Sequence, residues 1–138
     1  MKSKKKPRTS GKSSSSEGLL IDTPVLIDHF KKRTHLELWG NAISTVTLLE
    51  FLRGVPDEER RKAFLRELRK LFKIKEIDDL VVLTYCKLYR ALKRNDELIE
   101  DADLLIAATA IAKGYTLWTK NIRHFERLEK SGLKLFKG

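Results

Sequence analysis

Leu19-Leu20-Ile21-Asp22-Thr23-Pro24 is the stretch that decides the fold. Three apolar residues end on an acid and a proline follows, so a short strand gives way to a helix opened by Pro24 over about residues 24 to 33. The same kind of junction recurs along the chain. A strand at 42 to 46 runs into a helix carrying Leu48, Leu49, Glu50, Phe51 and Leu52, stopped by Gly54. A further helix starts near Asp101, with Asp103 in its first turn, and ends at Gly114. Tyr115 to Thr119 reads as a strand and leads to Asn121.

Between these junctions lie two amphipathic segments. Pro56-Asp57-Glu58-Glu59 puts negative charge in a first turn, and Phe64, Leu68, Leu71 and Phe72 then recur at helical spacing. A second helix at 78 to 94 carries the stripe Val81, Tyr85, Leu88, Tyr89 and Leu92, with Lys87, Arg90, Lys93 and Arg94 towards its carboxyl end. These two are expected to form a helical hairpin with polar outer faces. A short helix at 122 to 130 and a strand from Leu133 to Phe136 complete the order. The alternation predicts an α/β fold, a three-layer α/β/α sandwich around a mainly parallel sheet.

The chain has 138 residues, enough for one domain with its own core and too few for two. Residues 1–18 read as a basic, Ser- and Lys-rich disordered tail and residues 19–138 as the domain. Six Lys or Arg against Glu17 place half of the formal net charge of +10 in that tail. A body this basic attracts polyanions, so nucleic acid is a better partner than an acidic protein. The tail is either a solubilising extension or a sequence-independent RNA clamp. Cys86 is the only cysteine and falls in an apolar helical pattern, which excludes a disulfide framework and a thiolate metal site. No apolar run suits a signal peptide or a membrane span, so a soluble, cytoplasmic protein with no membrane partner is expected.

In a parallel sheet, the strand-to-helix junctions share one edge, so Asp22, Glu50, Asp103 and Asn121 can become one oxygen-lined site. Each has a plainer role available: an Asx turn or cap for Asp22, a salt bridge to Arg53 for Glu50, helix starts for Asp101 and Asn121. Asp101 resembles the cap, and Asp103 is the acid expected to face the strand edge. Glu50 stands between Leu49 and Phe51 and is hard to solvate if its helix packs inward. Converging anions repel unless a divalent cation neutralises them. Oxygen donors without a Cys and His cluster are the Mg²⁺ or Mn²⁺ pattern, and His29, His35 and His124 are too scattered for a ligand set. Carboxylates plus Mg²⁺ on a basic body suggest phosphodiester hydrolysis, with the metal activating water.

Four segments in order resemble the motifs of PIN domains, and among them the toxin components of prokaryotic toxin-antitoxin pairs. They are Leu20-Ile21-Asp22-Thr23-Pro24-Val25-Leu26-Ile27-Asp28, Ile43-Ser44-Thr45-Val46-Thr47-Leu48-Leu49-Glu50, Asp101-Ala102-Asp103-Leu104-Leu105-Ile106-Ala107-Ala108-Thr109-Ala110 and Thr119-Lys120-Asn121-Ile122-Arg123-His124-Phe125. The resemblance implies a Mg²⁺-dependent endoribonuclease with Asp22, Glu50 and Asp103 as metal-binding acids. Asn121 falls where such domains place a fourth acid or an amide, and Thr119 would orient the cluster. It also implies a homodimer silenced by a cognate antitoxin protein, with residues 57 to 94 used for both contacts. Lys120 and Arg123 are candidates for the RNA backbone, and Trp118 for a base or for the core. Two positions depart from the pattern: Pro24 stands where many such domains have Asn or Ser, and Asn121 is neutral, which leaves one-metal and two-metal mechanisms open.

Other classes fit less well. A haloacid-dehalogenase-like phosphatase needs a second Asp where Pro24 stands, and a receiver domain needs an early acidic pair this chain lacks. A non-catalytic PIN-like scaffold binding RNA or protein, and a housekeeping RNA-processing nuclease, remain as rivals.

Overall fold

The structure, a computed structural model, describes residues 18–138; the tail expected at 1–18 lies outside them apart from Gly18. Strands β1 (Leu19–Ile21), β2 (Ala42–Ser44), β3 (Lys73–Lys75), β4 (Thr116–Trp118) and β5 (Lys134–Leu135) form one sheet in the order β3-β2-β1-β4-β5. Every neighbouring pair is parallel, with Leu20 opposite Ala42, Ile21 opposite Trp118 and Ile43 opposite Ile74. The helices are α1 (Thr23–Lys31), α2 (Thr45–Arg53), α3 (Glu58–Leu71), α4 (Asp79–Arg94), α5 (Asp101–Lys113) and α6 (Ile122–Phe125).

Because successive strand residues face opposite ways, each three-residue strand feeds two cores. Leu20, Ala42 and Leu117 join Val81, Leu88 and Leu92 of α4 and Leu104, Ala107 and Ala108 of α5 on one face. Ile21, Ile43 and Trp118 join Val25 and Leu26 of α1, Phe51 of α2 and Leu68 of α3 on the other. Leu68 has no exposed surface, and truncating such a leucine to alanine costs about 2–5 kcal/mol. The three-layer α/β/α expectation therefore describes the molecule.

Local chemistry fixes the helix starts. Ser44 accepts the Thr47 N–H at 3.1 Å, Asp57 the Arg60 N–H at 2.8 Å and Asp78 the Val81 N–H at 3.1 Å. Each satisfies a backbone donor that a first turn leaves free. Gly114, at φ 80°, takes the left-handed conformation that ends α5 and turns the chain into β4.

Several expectations need correction. The strand expected to reach residue 46 stops at Ser44, because that serine caps α2 and Thr45 and Val46 are already helical. The segment read as one helix over 122 to 130 is α6 followed by a 3-10 turn at Glu126–Ser131, and the last strand is only Lys134–Leu135. Two elements were unforeseen: β3 and a 3-10 turn at His35–Leu38. The expected helical hairpin does not form. With β3 inserted at the sheet edge, α3 packs with α2 on one face and α4 with α5 on the other. The outer face of α4 is also not polar, since Leu80 is 53% and Leu83 66% exposed. Cys86 lies exposed on α4 rather than inside an apolar stripe.

The strand order places the site. The chain builds outward from β1 through β2 to β3, then crosses the sheet to lay β4 on the other side of β1. At such a reversal the connections diverge and leave a crevice at the carboxyl ends of the strands.

Candidate active site

Asp22 follows β1 directly and Thr119 follows β4 directly, so the parallel pairing of Ile21 with Trp118 brings them side by side at the crevice. The Asp22 N–H donates to the Trp118 carbonyl at 2.9 Å. One carboxylate oxygen of Asp22 accepts the Thr23 N–H at 2.9 Å, and the other accepts the Thr119 hydroxyl at 2.7 Å. Asp22 is only 3% exposed. Burial raises its pKa above the ordinary 3.8, the Thr119 and Thr23 hydrogen bonds pull it back, and the charges of Asp103 and Glu50 raise it again. The charges of all three acids thus act on one another, although Asp22 follows β1, Glu50 lies on α2 and Asp103 on α5.

Glu50 is oriented from the α1 side. The Thr23 hydroxyl donates to a Glu50 carboxylate oxygen at 2.7 Å, and its own oxygen lies 2.9 Å from the Thr47 hydroxyl. Arg53, one turn on, approaches the other oxygen at 3.8 Å, but that arginine is 77% exposed, so the pair is worth little. α2 does not bury Glu50 as its apolar neighbours suggested: Glu50 is half-buried and Leu49 is exposed.

Asp103 sits in the first turn of α5, where the helix dipole favours a carboxylate. Its carboxylate lies 3.0 Å from Nε2 of His124, which α6 brings across the crevice. Asp101 does not cap α5. Glu100 occupies that position, and Asp101 accepts the Tyr85 hydroxyl at 2.6 Å, which pushes the tyrosine pKa up to about 12.

Asn121 enters through its backbone, donating its N–H to the Thr119 hydroxyl oxygen at 3.0 Å, while its side chain is exposed. Lys120 pairs with Asp28 at 3.5 Å, and Arg123 is exposed. Trp118 packs with the second core and meets His29 and Phe136 edge to face.

Two features escaped the sequence reading. His124 was set aside because no other histidine stands near it in sequence, yet its partner is a carboxylate twenty-one residues away. The hydroxyls of Thr23, Ser44 and Thr47, all buried, form a neutral layer under the acids. The signal for that layer was the Ser44-Thr45-Val46-Thr47 run opening the helix that carries Glu50.

Among the described residues, no three His, Cys, Asp or Glu side chains form a ready-made metal cluster. Each acid is held by its own partner: Asp22 by Thr119, Glu50 by Thr23 and Asp103 by His124. The donor chemistry still fits a hard divalent cation, since carboxylate oxygens predominate and their mutual repulsion is what such an ion relieves.

The class of protein is thus a parallel α/β domain with carboxylates gathered at its strand-order reversal. The chain belongs to the PIN domain family, whose model matches residues 19–131. Ribonuclease VapC1 of Methanocaldococcus jannaschii is 51% identical over 118 residues, covering 86% of each chain. Ribonuclease VapC1 of Rickettsia felis is 35% identical over 122 residues, covering 81% of this chain and 91% of that one. Among solved structures, VapBC2 from Rickettsia felis bound to a promoter DNA fragment superposes with a TM-score of 0.72 at 28% identity, over 86% of this chain and 96% of that one. VapBC-1 from nontypeable Haemophilus influenzae, at 21% identity and TM-score 0.74, shares the fold, over 86% of this chain and 96% of that one.

Proposed function

We propose that this protein is a Mg²⁺-dependent endoribonuclease acting in the cytoplasm as the toxin of a type II toxin-antitoxin pair, with residues 19–138 as its nuclease unit. The observation that carries the reading is the position of Asp22, buried at the strand-order reversal with both carboxylate oxygens held by Thr23 and Thr119. The relatives named ribonuclease VapC and the VapBC complexes support the substrate class and the antitoxin partner.

In this reading Asp22, Glu50 and Asp103 hold the cation, with Mn²⁺ as a substitute. The bound ion would polarise a phosphoryl oxygen of the RNA and lower the pKa of the attacking water. Thr119 and the Thr23 N–H fix both oxygens of Asp22, so that carboxylate needs no reorganisation. Thr23 steers Glu50, and His124 orients Asp103 from outside the cluster. Lys120 and Arg123 would supply cations for the RNA backbone, and the exposed amide of Asn121 would position water. The exposed leucines of α4, Leu80 and Leu83, are the surface for a homodimer.

The test is cleavage of RNA by purified protein with Mg²⁺, with EDTA, and by an Asp103→Asn variant from a parallel preparation. Cleavage that needs the metal and vanishes in the variant supports the proposal. Equal cleavage by both proteins assigns the activity to a contaminant and refutes the site.

A further inference from the structure

A cavity of about 510 Å³ opens beside the acidic crevice at the carboxyl end of β4, lined by Trp118, Thr119, Ile122, Phe136, Lys137 and Gly138. Its volume lies within the roughly 300–1,000 Å³ of small-ligand clefts. Trp118 and Phe136 form one corner, with ring centroids 5.1 Å apart and planes at 62°. The Phe136 N–H donates to the Leu117 carbonyl at 2.8 Å, which fixes the corner to β4. Both rings are half-buried, so the corner is held by packing and still reachable from solvent.

We infer that this cavity takes one unstacked nucleobase of the RNA, next to the phosphate that lies at the carboxylates; the inference rests on the ribonuclease reading above. Continuity is the first reason. Thr119 lines the cavity and donates to Asp22, so base and cleavage site are one residue apart on the same strand end. Charge is the second. Lys137 lines the cavity and is 55% exposed, and Lys120, next in the chain to the lining Thr119, is 53% exposed. An apolar corner beside an exposed cation suits a planar base whose flanking phosphates are anionic.

The lining also sets what kind of base enters. The Thr119 hydroxyl is committed to Asp22 and to the Asn121 N–H, and Ile122 and Phe136 carry no polar side-chain atoms. Few side-chain groups remain to read a base edge, so binding depends on the ring face and tolerates any of the four bases. A base stacked inside a duplex cannot reach the corner, so the cavity restricts the enzyme to unpaired positions.

The test measures binding in EDTA, by fluorescence anisotropy, of a short single-stranded oligoribonucleotide and of a base-free ribose-phosphate chain of equal length. The wild type should prefer the chain with bases by about fivefold to a hundredfold, the contribution of one stacked base. Phe136→Leu keeps apolar bulk against Trp118 but loses the ring. It should lose most of that preference while binding the base-free chain as the wild type does. Lys137→Ala, at an exposed position, should weaken both chains alike and reduce the salt slope by about one phosphate contact. The inference is overturned if Phe136→Leu keeps the full preference, or weakens both chains equally. It also falls if that variant binds both chains normally and instead loses affinity for the co-expressed antitoxin, which would assign the cavity to a protein side chain. Base-dependent binding lost in Phe136→Leu, without any cleavage in Mg²⁺, would leave the pocket standing and remove the nuclease reading. Cleavage without base preference would do the reverse.

Discussion

Replacing Thr119 by valine removes a hydroxyl of nearly the same volume from the middle of the site. That hydroxyl makes two bonds: it donates to the Asp22 carboxylate at 2.7 Å and accepts the Asn121 N–H at 3.0 Å. The first is charge-assisted while Asp22 is ionised and stabilises by about 1.5–3 kcal/mol, falling to about 0.5–1.5 kcal/mol once the acid is protonated. The second is independent of that ionisation. Burial, the largest influence on Asp22, has already raised its carboxyl above 3.8, and losing Thr119 raises it further. The sign follows from linkage. A carboxyl whose folded pKa is raised adds stability that is complete below the unfolded value and is lost as pH rises through the folded one. The variant, raised further, loses more over that rise than the wild type. Thr119→Val should therefore cost about 1–1.5 kcal/mol more at neutral pH than at a pH below the ordinary carboxylate value, the difference between the charged and neutral bonds. Urea unfolding in EDTA reads this as a midpoint shift at constant m, compared between the two proteins at each pH. An equal loss of stability at both pH values would show that Thr119 does not support an ionised Asp22.

Four further outcomes follow from the same geometry. Asp103→Asn should lower Mg²⁺-dependent RNA cleavage by more than about a hundredfold, the upper end of what an outer contact costs, measured as kcat/KM on single-stranded RNA. Asp22→Asn should abolish cleavage and yet be more stable than the wild type at neutral pH in EDTA, because it removes the buried charge whose penalty appears as pH rises above the ordinary carboxylate value; denaturant midpoints across pH decide this. His124→Ala should raise the Mg²⁺ concentration for half-maximal cleavage about ten- to a hundredfold with little change in thermal midpoint, since it removes a group that orients Asp103. Leu83→Glu, at a 66% exposed position on α4, should shift sedimentation from dimer to monomer and leave far-UV circular dichroism unchanged.

The position of Asp22 was legible because a carboxylate at the end of an apolar run conflicts with its surroundings, and that of Asp103 because it opens an alanine-rich helix. The order of strands and helices was legible for a related reason: each apolar run ends in a cap or a glycine that leaves its own mark, as at Asp22, Asp57, Asp78 and Gly114. β3 was not. Lys73-Ile74-Lys75 is short, charged and β-branched at one position only, and it survives as an edge strand through pairing with β2. Missing it produced the false hairpin, since a strand between α3 and α4 sends them to opposite faces of the sheet. The His124–Asp103 contact was hidden because a four-residue helix gives no periodicity from which to read a direction.

The neutral hydroxyls explain how the domain tolerates its acids and how substrate and cation depend on each other. Thr23 and Thr119 reduce the cost of burying carboxylates without adding positive charge, whereas a lysine there would occupy the site permanently. The full cations stay outside: Arg53, Lys120 and Arg123 are all exposed. The result is an anionic centre in a chain of net charge +10. On the proposed function, an RNA phosphate would be drawn towards the exposed lysines and arginines and repelled by the centre, and a divalent ion would reverse that repulsion. RNA must then raise the protein's affinity for the ion by the same factor by which the ion raises its affinity for RNA. On the proposed function, the acids would act as a gate as well as a cage, keeping phosphates out of the crevice until the cation is bound.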